Sequence, residues 1–314
     1  MALLLAPAVL AQAQSDFTVR GPATPAQWKK TDVSIQPATT SSPVKLDIIV
    51  TYPTVGGPFP VIFFFNGFQA KASWYSAIVA HIVSWNYTVV QYTVPGLSIV
   101  PDKIELGYLQ PLTSWVVAQA AAAGSPLGGK MDLTKKAVMG HSRGGRLASL
   151  HLAARSDISA CVLVDPVDGS SSSWTPSTDY PSGTAALNGT GRTVGIIAAG
   201  RTGSCNPAGQ NYPKWWGVVS PGSWLMVVRD AGHMQFARTG NPFMDWTLDT
   251  LCGRGSSISA QTVMRYTGAL ATAWLSQTFR AAQSATAVAN FRMWAAGLTT
   301  GNVASWEIKP APAQ

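Results

Sequence analysis

The sequence predicts an α/β domain: a mostly parallel sheet with helices on both faces. Three observations carry that expectation. Short apolar runs alternate with helix-like segments from Val44 to Ala282, the order that parallel crossover connections require. Runs such as Pro60–Phe65, Ala160–Val164 and Trp224–Val228 are apolar throughout, as strands covered on both sides must be. One further strand passes through a glycine-flanked serine straight into a helix. With 314 residues, 46% of them hydrophobic, the chain can bury one large core without metals or staples.

The elements follow in chain order. Residues 1–15 hold an apolar run ahead of Ala11-Gln12-Ala13, similar to the core and cleavage site of a signal peptide but without its basic start. They read as the remnant of a signal or transit segment, and residues 16–310 as the domain. Val44–Tyr52 alternates and stops at Pro53, a strand; Gly56-Gly57-Pro58 is a turn; Pro60–Phe65 is the next strand. A helix over Ala72–Trp85 leads to a strand at Thr88–Val94. A second helix, Leu109–Ala123, is ended by Gly124 and Pro126. The strand Ala137–Met139 enters the serine turn, whose helix continues to Ala154. Strands at Ala160–Val164, Val194–Ala199 and Trp224–Val228 and a helix over Ser259–Ala282 complete the pattern. Residues 166–191 are rich in Ser, Thr, Gly and Pro, too polar for core and too long for a plain connection, so they are expected to form a lid or binding loop. No apolar run approaches the roughly 18 residues of a membrane span.

Charged residues make up only 11% of the chain, against roughly 25% in ordinary soluble domains. Low charge beside 12 Trp, 10 Phe and 8 Tyr suits an apolar substrate or neighbourhood. The net charge of +8 arises because Glu105 and Glu307 are the only glutamates, not because basic residues cluster. That argues against nucleic-acid binding and leaves weak attraction to an anionic membrane surface as the better partner for the charge. Of three cysteines, none has metal-ligand spacing, so no metal site is expected. Cys161 falls in an apolar strand. Cys205 and Cys252 fall in loop-like sequence and are expected to pair in an oxidising compartment.

Gly140-His141-Ser142-Arg143-Gly144 carries the chemistry. A nucleophilic serine must stand on a strained strand-to-helix turn so that its hydroxyl projects above the sheet, and glycines on either side let the neighbouring backbone pass. Serine needs a base. Of the four histidines, His81 and His151 lie within helices and His141 lies inside the turn. His233 follows the last core strand, where the order serine, acid, histidine puts the base. The acid belongs at a strand end between them. Asp165 ends Val162-Leu163-Val164 and Pro166 turns the chain away; Asp168 is the reserve. The oxyanion hole takes backbone N–H groups from Arg143, after the serine, and from Phe68, in the loop after the Phe65 strand.

Gly-His-Ser-Arg-Gly-Gly at 140–145, Val-Asp-Pro-Val-Asp-Gly at 164–169, Gly232-His233-Met234 and Phe65-Asn66-Gly67-Phe68 resemble the chlorophyllases, over about Val44 to Ala282. The resemblance implies an α/β-hydrolase fold that cleaves the phytyl ester of chlorophyll into chlorophyllide and phytol. It implies Ser142, Asp165 and His233 as the triad, a chloroplast setting at the thylakoid, and no cofactor, since magnesium belongs to the substrate. The platelet-activating-factor acetylhydrolases are similar in carrying their acid on the strand after the elbow helix. Asn66 departs from the His-Gly of many hydrolases, which a backbone donor tolerates. A broad carboxylesterase or lipase is the alternative activity, with secretion the alternative location; an inactive pigment- or lipid-binding hydrolase fold is the third reading.

Overall fold

The apolar runs pair side by side into one sheet in a computed structural model of the chain, which describes residues 15–96, 99–169 and 177–311. The strands are β1 (Pro25–Ile35), β2 (Val44–Pro53), β3 (Phe59–Phe65), β4 (Thr88–Thr93), β5 (Met131–His141), β6 (Ile158–Val164), β7 (Gly195–Ala199), β8 (Trp224–Val228) and β9 (Ala304–Ile308). Their spatial order is β1-β2-β4-β3-β5-β6-β7-β8-β9. The six strands from β4 to β8 run parallel. The outer strands β1, β2 and β9 pair antiparallel. Mostly parallel, with helices on both faces, this is the expected α/β-hydrolase architecture.

Alternation along β3 shows how the layers form. Ile62 and Phe64 face one core with helices α1 (Ser76–Ser84), α7 (Ala260–Phe279) and α8 (Ala281–Thr300). Val61, Phe63 and Phe65 face the other, with α2 (Leu109–Ala121), α3 (Arg143–Ala154), α4 (Gly183–Leu187) and α5 (Tyr212–Val218). Both faces being covered, every residue of β3 is buried. The crossovers bring the C-terminal ends of β3, β5, β6 and β8 to one edge of the sheet, and every candidate site residue hangs from that edge.

Several elements differ from the sequence reading. β1 and β9 were not expected: β1 is a half-exposed edge strand whose Lys29-Lys30 and bulge at Asp32 leave no apolar run, and β9 has five residues. β5 begins at Met131 rather than Ala137, because its first half is polar and only its second half crosses the core. The helix expected over Ser259–Ala282 breaks at Arg280 and continues as α8. The helix expected over Ala72–Trp85 opens as a 3₁₀ turn, Ala72–Tyr75. Cys252 closes a helix, α6 (Pro242–Cys252), rather than lying in a loop. Nearly all of the expected leader, residues 1–14, and residues 170–176 of the expected lid lie outside the described residues. The rest of that stretch is packed down: α4 lies on α3, with Gly183 against Trp215 and Ser149.

Candidate active site

Ser142 stands between the end of β5 and the start of α3 with φ +58° and ψ −124°, a backbone conformation that costs free energy and is kept only where the surroundings enforce it. The two glycines are forced by close approach. A Cβ at Gly140 would run into the Gly144 carbonyl, and one at Gly144 into the Phe65 carbonyl. Ser142 N–H donates to the Val164 carbonyl at 3.0 Å, tying the turn to β6. Arg143 is the first residue of α3, so its N–H has no partner within the helix.

The structure brings Ser142, His233 and Asp165 together. Ser142 Oγ is 2.9 Å from His233 Nε2, and His233 Nδ1 is 2.6 Å from Asp165 Oδ2. All three side chains are buried. Asp165 also has a positive φ, +37°. Its carboxylate accepts from Ala199 N–H at 3.0 Å and from Asn206 Nδ2 at 3.1 Å. Asn206 was not anticipated; its one signal is that it directly follows Cys205. Cys205 and Cys252 are joined by a disulfide across 47 positions, which ties the Asn206 segment to the end of α6.

The other acids are engaged elsewhere. Asp168 accepts from Ser182 Oγ and Thr184 Oγ1 at 2.6 Å and from Gly183 N–H at 2.7 Å, and it pairs with Lys214 at 2.8 Å. Burial raises its pKa, but Lys214 and the two hydroxyls outweigh that and hold it below the usual carboxylate value. It anchors α4 to the core. Asp230 binds Arg201 and the amides of Ser256 and Ser257, and Asp157 binds Arg155 and Lys136.

Of the remaining histidines, His81 meets the Phe17 carbonyl at 2.9 Å and His151 stacks on Phe65 at 5.0 Å. Burial lowers their pKa values to about 4 and about 3. His141 does more than the sequence indicated. Gly67 N–H donates to Tyr75 Oη at 2.9 Å, Tyr75 Oη lies 3.1 Å from His141 Nδ1, and His141 Nε2 lies 3.1 Å from the His233 carbonyl. With the ring neutral, one proton arrangement satisfies all three contacts: Tyr75 donates to Nδ1 and Nε2–H donates to the carbonyl. His141 thus bridges the loop after β3 and the His233 turn. Burial, and then the His233 ring 4.6 Å away, keep its pKa well below the ordinary value.

Below the elbow lies a buried ion cluster. Arg143 Nε donates to Asp102 Oδ1 and its Nη1 to Glu105 Oε2, both at 2.6 Å, and its Nη2 to the Val100 carbonyl at 2.7 Å. Arg146 faces Asp102 at 2.6 Å and donates to the Asp168 carbonyl at 2.8 Å. Burial disfavours the Arg143 charge, yet Glu105 and Asp102 more than offset this and push its pKa up. The carboxyl of Asp102 is pushed up by burial, against both arginines. The arginine after the serine therefore clamps the segment 100–105 with its side chain while its N–H stays at the helix start.

A cavity of about 610 Å³ opens beside the elbow, lined by Asn66–Lys71, Thr93–Gly96, Ile99, Val100, Glu105 and Arg143, with Lys29 and Lys30 from β1. Phe68, 41% exposed, stands in its wall. Asn66 fixes the loop by donating from Nδ2 to the Tyr92 carbonyl at 2.5 Å. None of the described residues of 166–191, the expected lid, lines this cavity.

A family model described as Chlorophyllase matches residues 23–292. "Chlorophyllase-1" of Arabidopsis thaliana is 26% identical over 267 residues, 78% of this chain and 80% of that protein. "Chlorophyllase-1, chloroplastic" of Citrus unshiu is 29% identical over 254 residues, 76% and 74% of the two chains. "Chlorophyllase type 0" of Chenopodium album is 27% identical over 255 residues, 74% and 71%.

Proposed function

The chain belongs to the chlorophyllase family of carboxylic ester hydrolases, and from that membership we propose that it cleaves the phytyl ester of chlorophyll by acyl transfer to Ser142. The observation that carries the mechanism is the hydrogen-bonded line from Ser142 Oγ through His233 to Asp165. His233 Nε2 takes the serine proton as Oγ attacks the propionate carbonyl. Asp165, on Nδ1, holds the ring in the required tautomer and stabilises its cation. The N–H groups of Arg143 and Phe68 receive the developing oxyanion; commitment of Gly67 N–H to Tyr75 favours the next amide, Phe68. Phytol leaves with the proton from His233. Water, deprotonated by the same ring, then releases chlorophyllide as its carboxylate and restores Ser142. No cofactor takes part. The cavity reaches the elbow only through Arg143 and the loop Asn66–Phe68, and its wall mixes Phe68, Ile99 and Val100 with Lys29, Lys30, Lys71, Asp47 and Glu105. A chloroplast location follows the Citrus relatives' names, and contact with the thylakoid surface is part of the same reading.

The test is purified protein with chlorophyll a, followed by chromatography. Chlorophyllide formation by wild type and none by Ser142→Ala or His233→Ala, both folded, is the expected result. Turnover of a simple chromogenic ester without chlorophyllide would replace this reading with a broader carboxylesterase.

A further inference from the structure

The two N–H groups proposed for the oxyanion stand on different elements, and each element is held from a distance in the sequence. Phe68 belongs to the loop after β3, which is fastened to β4 at both ends. Asn66 Nδ2 donates to the Tyr92 carbonyl at 2.5 Å; Ala72 N–H donates to Thr93 Oγ1 at 3.0 Å, and Gln91 Nε2 to the Ala72 carbonyl at 3.3 Å. Arg143 opens α3, and its guanidinium reaches back to the segment 100–105. The placing of one donor against the other therefore depends on what joins β4 to that segment.

One carboxylate joins them. Tyr92 Oη donates to Glu105 Oε1 at 2.6 Å, and Arg143 Nη1 donates to Glu105 Oε2 at 2.6 Å. Tyr92 and Glu105 are both buried. Bonds to a charged group in a buried site are short and directional, so they fix distance as well as neutralise charge. The same Tyr92 holds Asn66 with its carbonyl and Glu105 with its hydroxyl. An unbroken line of hydrogen bonds thus runs from Asn66 through Tyr92 and Glu105 to Arg143. Asp102 has a different part: it is shared by Arg143 and Arg146. Neutralising Arg143 requires only a carboxylate at 105, whereas the bond to Tyr92 adds a tie to the other side of the site.

We propose that Glu105 is a positioning residue for the oxyanion hole: through Tyr92 and Asn66 on one side and Arg143 on the other, it sets the separation of the Phe68 and Arg143 N–H groups. It touches no reacting atom. The inference rests on the acyl-transfer reading of Ser142 and on no particular ester. Cutting the tie at Tyr92 leaves β4 paired in the sheet with β2 and β3, so the loop after β3 shifts without unfolding. Donors aimed at a developing charge lose much of their effect through shifts of an ångström or less.

The experiment compares wild type, Tyr92→Phe and Glu105→Gln, with p-nitrophenyl acetate as substrate and phenyl trifluoromethyl ketone as inhibitor. In the inhibitor's adduct Ser142 Oγ bonds the carbonyl carbon, its proton passes to His233 Nε2, and the carbonyl oxygen becomes the oxyanion. Inhibitor affinity therefore reads the hole itself. Tyr92→Phe removes one hydrogen bond and no charge. It should lower kcat about tenfold with KM within about twofold, and weaken the ketone by about the same factor as kcat. Glu105→Gln should lower both by more, roughly 10- to 100-fold. The uncompensated Arg143 charge in that variant would by itself favour an oxyanion, so a loss there reports geometry. Should Glu105→Gln fail to fold by circular dichroism, Tyr92→Phe decides alone. Variants that melt earlier yet keep kcat and ketone affinity would overturn the proposal and leave Glu105 a charge partner of Arg143; a change in KM alone would do the same. A wild type inert to both ester and ketone would overturn the acyl-transfer reading, and this inference with it.

Discussion

The Asp165 carboxylate, held by Ala199 and Asn206, meets Nδ1 of the imidazole whose Nε2 faces Ser142. Asp165→Asn is expected to lower the rate of ester cleavage on the order of 10³-fold or more, because an amide there favours the wrong tautomer of His233. Asp168→Asn is expected to leave the rate near wild type and to lower stability by about 1–3 kcal/mol, since Lys214 and α4 lose a charged, buried partner. Rates and urea midpoints of the two variants separate the roles; the reverse ranking of rates would make Asp168 the acid. His141 gives a second prediction at this scale. His141→Phe keeps the ring volume but removes the partner of the Tyr75 hydroxyl proton and of the His233 carbonyl, while Gly67 N–H still donates to Tyr75. It should cut kcat by roughly tenfold or more with little change in KM, the loss of a buried hydrogen bond or two. His141→Gln, which can donate to the carbonyl and accept from Tyr75, should recover part of that. A variant whose KM alone changes would remove His141 from the positioning of the base.

At the scale of elements, the bond between Cys205 and Cys252 ties the loop bearing Asn206 to the end of α6. Closing a loop of this length is worth about 4 kcal/mol in the chain-entropy model. Reduction, or Cys205→Ser, should lower the thermal midpoint and, by loosening Asn206 behind Asp165, lower activity as well. Thiol titration of the denatured, unreduced protein should count one thiol, Cys161, which lies buried in β6; a count of three would remove the basis of both effects. The buried strands β3, β6, β7 and β8 were legible in sequence because each is a continuous apolar run. β1 was not, since an edge strand needs apolar residues on one side only and Lys29, Lys30 and Asp32 interrupt even those. Helix α6 was passed over for the opposite reason: its apolar residues face solvent and its acids face the core, the inverse of the pattern that marks a surface helix.

For the whole molecule, three buried histidines contribute to the dependence of stability on pH. His81 and His151 fall to about 4 and about 3 from an ordinary 6.5, through burial, and His141 falls in the same direction. Each takes up a proton more readily unfolded than folded, so the unfolded state binds more protons below pH 6.5. Stability is complete above that value and declines as the pH falls toward 4, where His81 itself protonates in the fold. Thermal unfolding followed from neutral pH down to about pH 4 should show a steady drop in midpoint that His81→Gln makes shallower. A midpoint flat across that range would mean these rings are solvated.

What the sequence alone determined is local or strictly ordered along the chain. The strained turn at Ser142 needs glycine at 140 and 144 because of backbone contacts within a few residues and one neighbouring strand. The parallel sheet follows from the alternation of apolar runs with helices. The order serine, acid, histidine follows from which strand ends share an edge. Tertiary structure alone set Asp165 and Asp168 apart, two carboxylates three residues apart at the end of the same strand, one beside His233 and the other beneath α4. It alone placed Tyr75 and His141 between the loop after β3 and the His233 turn, paired Arg143 with Asp102 and Glu105, and put Asn206 on the Asp165 carboxylate. The reason is physical. Apolar burial and backbone sterics act through short-range periodicity, which a sequence displays. A hydrogen bond or ion pair is directional and joins positions far apart in the chain, so its partners are set by how helices pack on the sheet.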